Sequence, residues 1–232
     1  MRRYQYYQTD VFTEVLFAGN PVAVFPEANG LADAEMQQIA REIGHSVTAF
    51  VLSPTDARAH AWVRFFAPAL ELPIAAQAAL GAHVVLAARR TYEIAGPVTR
   101  IWQQTRIGLL PVDLITDGAG RTNRAVMTLG EARHGDIYPE GESLAAALGL
   151  HSADMHHSLP AQVYSTGLPG LIVPLATLDA VQRADPNLPL AREICRTMSV
   201  IGGGLYVFSL ETLDNAHHAH ARCFSPLSGV LD

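Results

Sequence analysis

The chain has 232 residues, 49% of them hydrophobic and 16% charged, with a formal net charge of -6, which is apolar material enough for one large domain or two small ones. That acidic balance leaves no basic stripe for a phosphate backbone, so no nucleic-acid partner is expected. Its apolar runs are too short and interrupted for a bilayer span, which needs roughly 20 residues, and the opening MRRYQYYQTDVFTEV has no apolar core of a secretory signal, so the expectation is a cytoplasmic protein with no membrane partner.

Residues 4–12 read as a strand, and Phe17-Ala18-Gly19-Asn20-Pro21 punctuates the chain before a second apolar run, Val22-Ala23-Val24-Phe25. Asp33 then stands as the N-cap of a helix in which Met36, Ile39, Ala40 and Ile43 recur at helical spacing up to Gly44. Strands are predicted at residues 48–52 and 61–66. Residues 75–89 are predicted as a helix so rich in alanine that almost no polar face remains, and such a helix is normally enclosed by other structure.

Further strands are predicted at residues 98–104 and 109–115, after which the loop Asp117-Gly118-Ala119-Gly120-Arg121 marks a domain boundary. The expected domains are therefore 1–118 and 124–232. In the second, strands are predicted at residues 125–129, 162–165, 170–174, 205–210 and 219–224, with helices at 143–148 and 190–198. This half has no counterpart of the alanine-rich helix.

Several segments in fixed order carry a resemblance. Asp10-Val11-Phe12-Thr13 leads into Gly19-Asn20-Pro21-Val22-Ala23-Val24-Phe25, followed by Met36-Gln37-Gln38-Ile39-Ala40-Arg41-Glu42. Then come Phe66-Ala67-Pro68, Glu71-Leu72-Pro73 and Leu80-Gly81, and later Thr166-Gly167-Leu168-Pro169 and Arg222-Cys223-Phe224-Ser225-Pro226 with Gly229. Together they resemble the phenazine-biosynthesis isomerase family (PhzF-like) along nearly the whole chain. The resemblance implies the α+β fold shared with diaminopimelate epimerase: two similar domains, each a strongly curved, barrel-like antiparallel sheet around a central helix, the second lacking that helix here. It also implies a small-molecule substrate, no metal, no organic cofactor and a homodimer.

Members of that family move a proton between carbons of a small, usually carboxylated substrate. Their acid/base glutamate sits in a Ser-Glu-Thr segment, which here reads Ser46-Val47-Thr48. Valine cannot exchange a proton, and a positioned acid/base typically supplies about 10²–10⁴-fold in rate. Their histidine sits in a Gly-His-Pro turn at the start of the buried helix, which here reads Ala76-Gln77-Ala78. Glutamine donates and accepts hydrogen bonds but does not titrate, and Ala76 adds a methyl group where glycine would let a ligand approach. The third position is an aspartate, and depending on a one-residue gap Asp232 matches either that aspartate or the acidic residue before it. The remainder of the family's second domain lies beyond Asp232, so a complementing C-terminal segment or a cleaved, split or truncated chain is expected.

Other features have duller readings. His217, His218 and His220 invite a metal site, but no Asp, Glu or Cys stands beside them at ligand spacing, and they read as a solvated turn entering a strand. His45 reads as a helix cap, and Cys195 and Cys223 as unbridged thiols. Two functions stay open. One is an isomerase or cyclase in secondary metabolism, working by placement and polarisation, with Gln77 and Asp232 as polar catalytic groups and Asn20, Ser46, Val47, Thr48 and Ala76 around the substrate. The other is a catalytically silent binding or scaffold homologue that pairs with another chain.

Overall fold

The computed structural model describes residues 2–231, which fall into two compact units, Met1–Gly130 and Glu131–Asp232. The first opens with an antiparallel pair, β1 (Tyr7–Val11) and β2 (Asn20–Phe25). Helix α1 (Asp33–Ile43) then crosses back, so β3 (Thr48–Leu52) runs parallel to β2. β4 (Ala61–Phe66) and the short β5 (Glu71–Leu72) follow as antiparallel neighbours. A second crossover, α2 (Ala76–Ala88), sets β6 (Val98–Thr105) parallel to β4, and β7 (Gly108–Thr116) and β8 (Thr122–Met127) complete the sheet as hairpins. The antiparallel sheet expected is thus mixed, because a strand reached through a crossover helix returns in the same direction.

Along the sheet the order is β1-β2-β3-β4-β6-β7-β8, with β5 on β4. Helix α2 packs against both edge strands, β1 and β8, as well as β2, β3, β4 and β7. One helix can touch both edges only if the sheet curls around it, so the buried alanine-rich helix is the axis of this unit. Its small side chains permit that enclosure: a Cβ added at Gly81 would lie 3.1 Å from Thr9 and 3.2 Å from Val11. On the outer face, Met36 and Ala40 of α1 bury against Phe25, Phe50 and Phe66, with the Phe25 and Phe50 rings stacked at 4.9 Å. Ala32, not Asp33, precedes the helix, and its N–H donates to the Glu35 carboxylate at 2.8 Å. At the other end Gly44 adopts φ 74, donating to the Ala40 carbonyl at 3.1 Å.

One polar group lies deep in this core. His83 of α2 is fully buried; its Nε2 donates to the Gln103 carbonyl oxygen at 3.0 Å, and its Nδ1 accepts from the Tyr92 hydroxyl at 2.8 Å. The amide oxygen can only accept, so these two bonds fix the neutral Nε2–H tautomer. Burial pushes its pKa down to about 4. The unfolded chain protonates this imidazole near the ordinary histidine value of about 6.5. Between those values the unfolded state binds more protons, so stability falls as pH drops through that window. At about 1.4 kcal/mol per unit, the loss by pH 5 is about 2 kcal/mol. Urea midpoints at pH 7 and pH 5 check it: wild type is expected to drop and His83→Gln to stay nearly level.

The expected boundary at residues 119–123 is a hairpin turn inside the first sheet. The Asp117 carboxylate accepts from the N–H groups of Ala119 and Arg121, both at 2.9 Å, closing β7 onto β8. The strand expected to open the second domain is therefore the last strand of the first unit. Turn-forming residues read as a linker because their chemistry is the same in both settings.

The second unit runs β9 (Arg133–Ile137), α3 (Gly141–Ala147), β10 (Gln162–Ser165), β11 (Pro169–Pro174), α4 (Leu178–Arg183), α5 (Leu188–Thr197), β12 (Leu205–Ser209) and β13 (His220–Phe224), with sheet order β13-β12-β11-β10-β9. Leu144, Val181 and Ile194 of the helices, with Leu148 just past α3, bury against Leu171, Val173, Leu205 and Val207 of the sheet. The alternate strand residues Ile172, Tyr206 and Phe208 stand on the other face, partly or largely exposed, with no central helix there among the described residues. Arg222 donates to the Val181, Gln182 and Ala184 carbonyls at 3.1, 3.2 and 2.8 Å, so it ties β13 to the end of α4. Among the described residues no helix is long and apolar enough to cross a membrane.

Candidate functional site

Strand register decides which sequence-predicted residues share a surface. Ala23 pairs with Thr48, Thr48 with Phe66, and Phe66 with Glu71, making one row across β2, β3, β4 and β5. Alternation along a strand sends neighbours to opposite faces. Phe50 and Phe66 face α1, whereas Thr9, Val11 and Val22 lie beneath Gly81 of α2.

Asn20 is in phase with Val22, and it opens β2 opposite Val11. Ser46 donates its hydroxyl to the Asn20 side-chain oxygen at 3.3 Å, so those two are brought together. Val47 is 3% exposed and immediately precedes β3. Thr48 is in phase with Phe50 and belongs to the α1 side; its hydroxyl is buried without a partner among the described residues. The helix cap expected of His45 belongs to Gly44, and the His45 Nε2 is itself buried without a partner among the described residues.

Ala76 and Gln77 form the first turn of α2, both half-buried, behind the N-cap Ala75, which has no side chain to cap with. That turn carries no acidic residue. The chain reaches it from Glu71, which ends the row that holds Thr48. Asp232 lies outside the described residues. Among the described residues no three His, Cys, Asp or Glu side chains come together as a metal site; His217 and His218 are exposed, and His220 pairs with Ser209 in the sheet.

Sequence reasoning missed an ion cluster at the end of that row. Arg64, 6% exposed at its side chain, donates from Nε and Nη2 to both Glu71 oxygens at 2.8 Å and from Nη1 to Asp33 at 2.6 Å. Its guanidinium lies over the Trp62 and Phe66 rings, and Arg106 also pairs with Glu71 at 2.7 Å. Burial by itself raises the Glu71 carboxyl, but Arg64 and Arg106 outweigh it and hold the pKa below the usual carboxylate value. Asp33 is lowered by its hydrogen bond to Arg64, and Arg64 is raised chiefly by Glu71. The available signal was the lone arginine in Ala61-Trp62-Val63-Arg64-Phe65-Phe66, since a charge inside an apolar strand requires a partner.

The chain matches known proteins over nearly its full length. An uncharacterised isomerase of Clostridium acetobutylicum is 34% identical over 99% of this chain and 74% of its own. The crystal structure of a phenazine biosynthesis protein of the PhzF family from Bacillus anthracis superposes with a TM-score of 0.81 at 29% identity, covering 100% of this chain and 75% of that one. The trans-2,3-dihydro-3-hydroxyanthranilate isomerase of Pseudomonas fluorescens is 30% identical over 79% of this chain and 62% of that enzyme. Residues 9–232 match the profile described as phenazine biosynthesis-like protein, and the chain belongs to this PhzC-PhzF family, whose matched relatives carry isomerase names.

Proposed function

We propose that this protein binds a small carboxylated or conjugated organic substrate and isomerises or cyclises it by placement and polarisation, without the glutamate shuttle that its family resemblance implies. The observation that carries the reading is the hydrogen-bonded Asn20–Ser46 pair, next in sequence to buried Val47; the half-buried Gln77 in the uncapped first turn of α2 is assigned to the same site from the family resemblance. The Asn20 and Gln77 amides can donate to and accept from a ligand, but neither can exchange a proton at neutral pH. Orienting a substrate in a defined geometry lowers a barrier by several kcal/mol without proton transfer. Asp232 is assigned as a second polar contributor from the sequence alone, and no cofactor is required.

A second reading, a silent ligand-binding homologue that pairs with another chain, is favoured by Val47 itself, because an apolar side chain stands where the reaction would need an acid. Incubation with trans-2,3-dihydro-3-hydroxyanthranilate separates the two. Turnover that Gln77→Ala or Asp232→Asn lowers by about tenfold or more, the effect of losing a hydrogen bond to a charged group, supports the first reading. Turnover indifferent to both substitutions removes these residue assignments. Saturable binding without product establishes the silent reading.

A further inference from the structure

We propose that Arg64, with Glu71, Asp33 and Gln37, is the positioning device that sets where the first turn of α2 presents Gln77. The inference rests on the site reading above.

Helix α2 does not fix its own start. Its N-cap is Ala75, without a side-chain acceptor, and no carboxylate stands in its first turn. The turn is therefore held from outside, and the chain leading into it is anchored at several points. Glu71 is gripped through both oxygens by Arg64 and again by Arg106. Gln37 of α1 donates to the Ala67 and Pro68 carbonyls at 2.9 and 3.1 Å, and the Ala67 N–H closes the turn onto the Leu70 carbonyl at 2.9 Å. Arg64 also grips Asp33, the first residue of α1, so α1, the β4–β5 turn and the approach to α2 are joined through one guanidinium. Between Glu71 and the helix, Leu72, Ile74 and Ala75 are buried, which leaves that segment little slack.

A buried ion pair is a poor source of net stability, since desolvation offsets most of the attraction and an apolar replacement of the pair is often as stable. What a planar, two-pronged guanidinium supplies in its place is geometry: Glu71 can be held in one orientation only. The cluster acts through the segment 71–75 on Gln77 and touches no ligand itself, so its members are positioning residues.

Hydrogen exchange at Ala79, Leu80 and Gly81, the first amides of α2 to donate within the helix, tests this on wild type, Arg64→Met, Arg64→Lys and the double variant Arg64→Met/Glu71→Gln. The double variant leaves no unpaired buried charge, so its urea midpoint is expected near wild type, and it keeps the test valid if Arg64→Met alone does not fold. Its Ala79–Gly81 amides are nonetheless expected to exchange roughly tenfold faster while β6 and β7 keep their protection, because local and global opening are separable. Arg64→Lys, which keeps the charge and loses the two-pronged grip, is expected to lie between. Exchange at these amides that returns to wild type together with the midpoint would overturn the proposal and leave the cluster a fold element only. Binding of trans-2,3-dihydro-3-hydroxyanthranilate on the same proteins is expected to weaken with the loosened turn; loosening with undiminished binding would also overturn it. If wild type does not bind the compound, the site reading fails, and the exchange result still decides whether the cluster positions the helix.

Discussion

The double variant Val47→Glu/Gln77→His is expected to gain carbon–hydrogen exchange with solvent by about 10²–10⁴-fold, the contribution of a positioned acid/base. The measurement is loss of a substrate C–H signal in D₂O by proton NMR, with trans-2,3-dihydro-3-hydroxyanthranilate as probe. Position 47 is 3% exposed, so a carboxyl there is desolvated and its pKa rises toward neutrality, where a group that both takes and returns a proton works best. Position 77, half-buried in an uncapped first turn, gives the imidazole a place to act as the second group. Either substitution alone is expected to gain less, since residues acting as a unit are not additive. The carboxylate also costs stability, because a charge enters an apolar environment. A double variant that stays folded by circular dichroism and shows no gain would place the reacting centre elsewhere.

Arg64→Met is expected to lower stability by about 3–5 kcal/mol, the usual cost of stranding one partner of a buried ion pair. The stranded group is Glu71, which burial already penalises and which two guanidinium groups hold ionised. With Arg64 gone, Arg106 remains, and its side chain is half exposed, so it replaces little of the lost interaction. Urea unfolding at neutral pH reads the effect. Adding Glu71→Gln is expected to recover most of it, since an amide is far cheaper to bury than a carboxylate. A single variant within 1 kcal/mol of wild type, well below that range, would show that Glu71 is solvated without Arg64.

Much of the fold is legible in the residues themselves, for reasons that are local. Met36, Ile39, Ala40 and Ile43 give α1 its stripe, Gly44 ends it in the left-handed conformation, and the run of alanines marks α2 as enclosed. Elements that lack such periodicity were not legible. Every residue of β9 is exposed, and α4 has only six residues, too few for a helical repeat to emerge. That neither Val47 nor Gln77 can titrate is likewise a matter of residue identity alone.

What tertiary structure decided is everything that depends on register and on partners distant in sequence. Pairing put Thr48 on the α1 face, in phase with Phe50 and Phe66, a placement that a three-letter motif cannot express because strand alternation acts only once the sheet is formed. Pairing also gave β8 to the first unit, although its preceding turn reads as a linker. The reach of Arg64 to Asp33, 31 residues away, and of His83 to Gln103, 20 residues away, follows from burial: each polar group taken into the core must find its partner there. The sequence by itself determined which groups at this site can carry a proton, and the curled sheet determined which of them share a face, since residue chemistry is local and a face exists only after strands have paired.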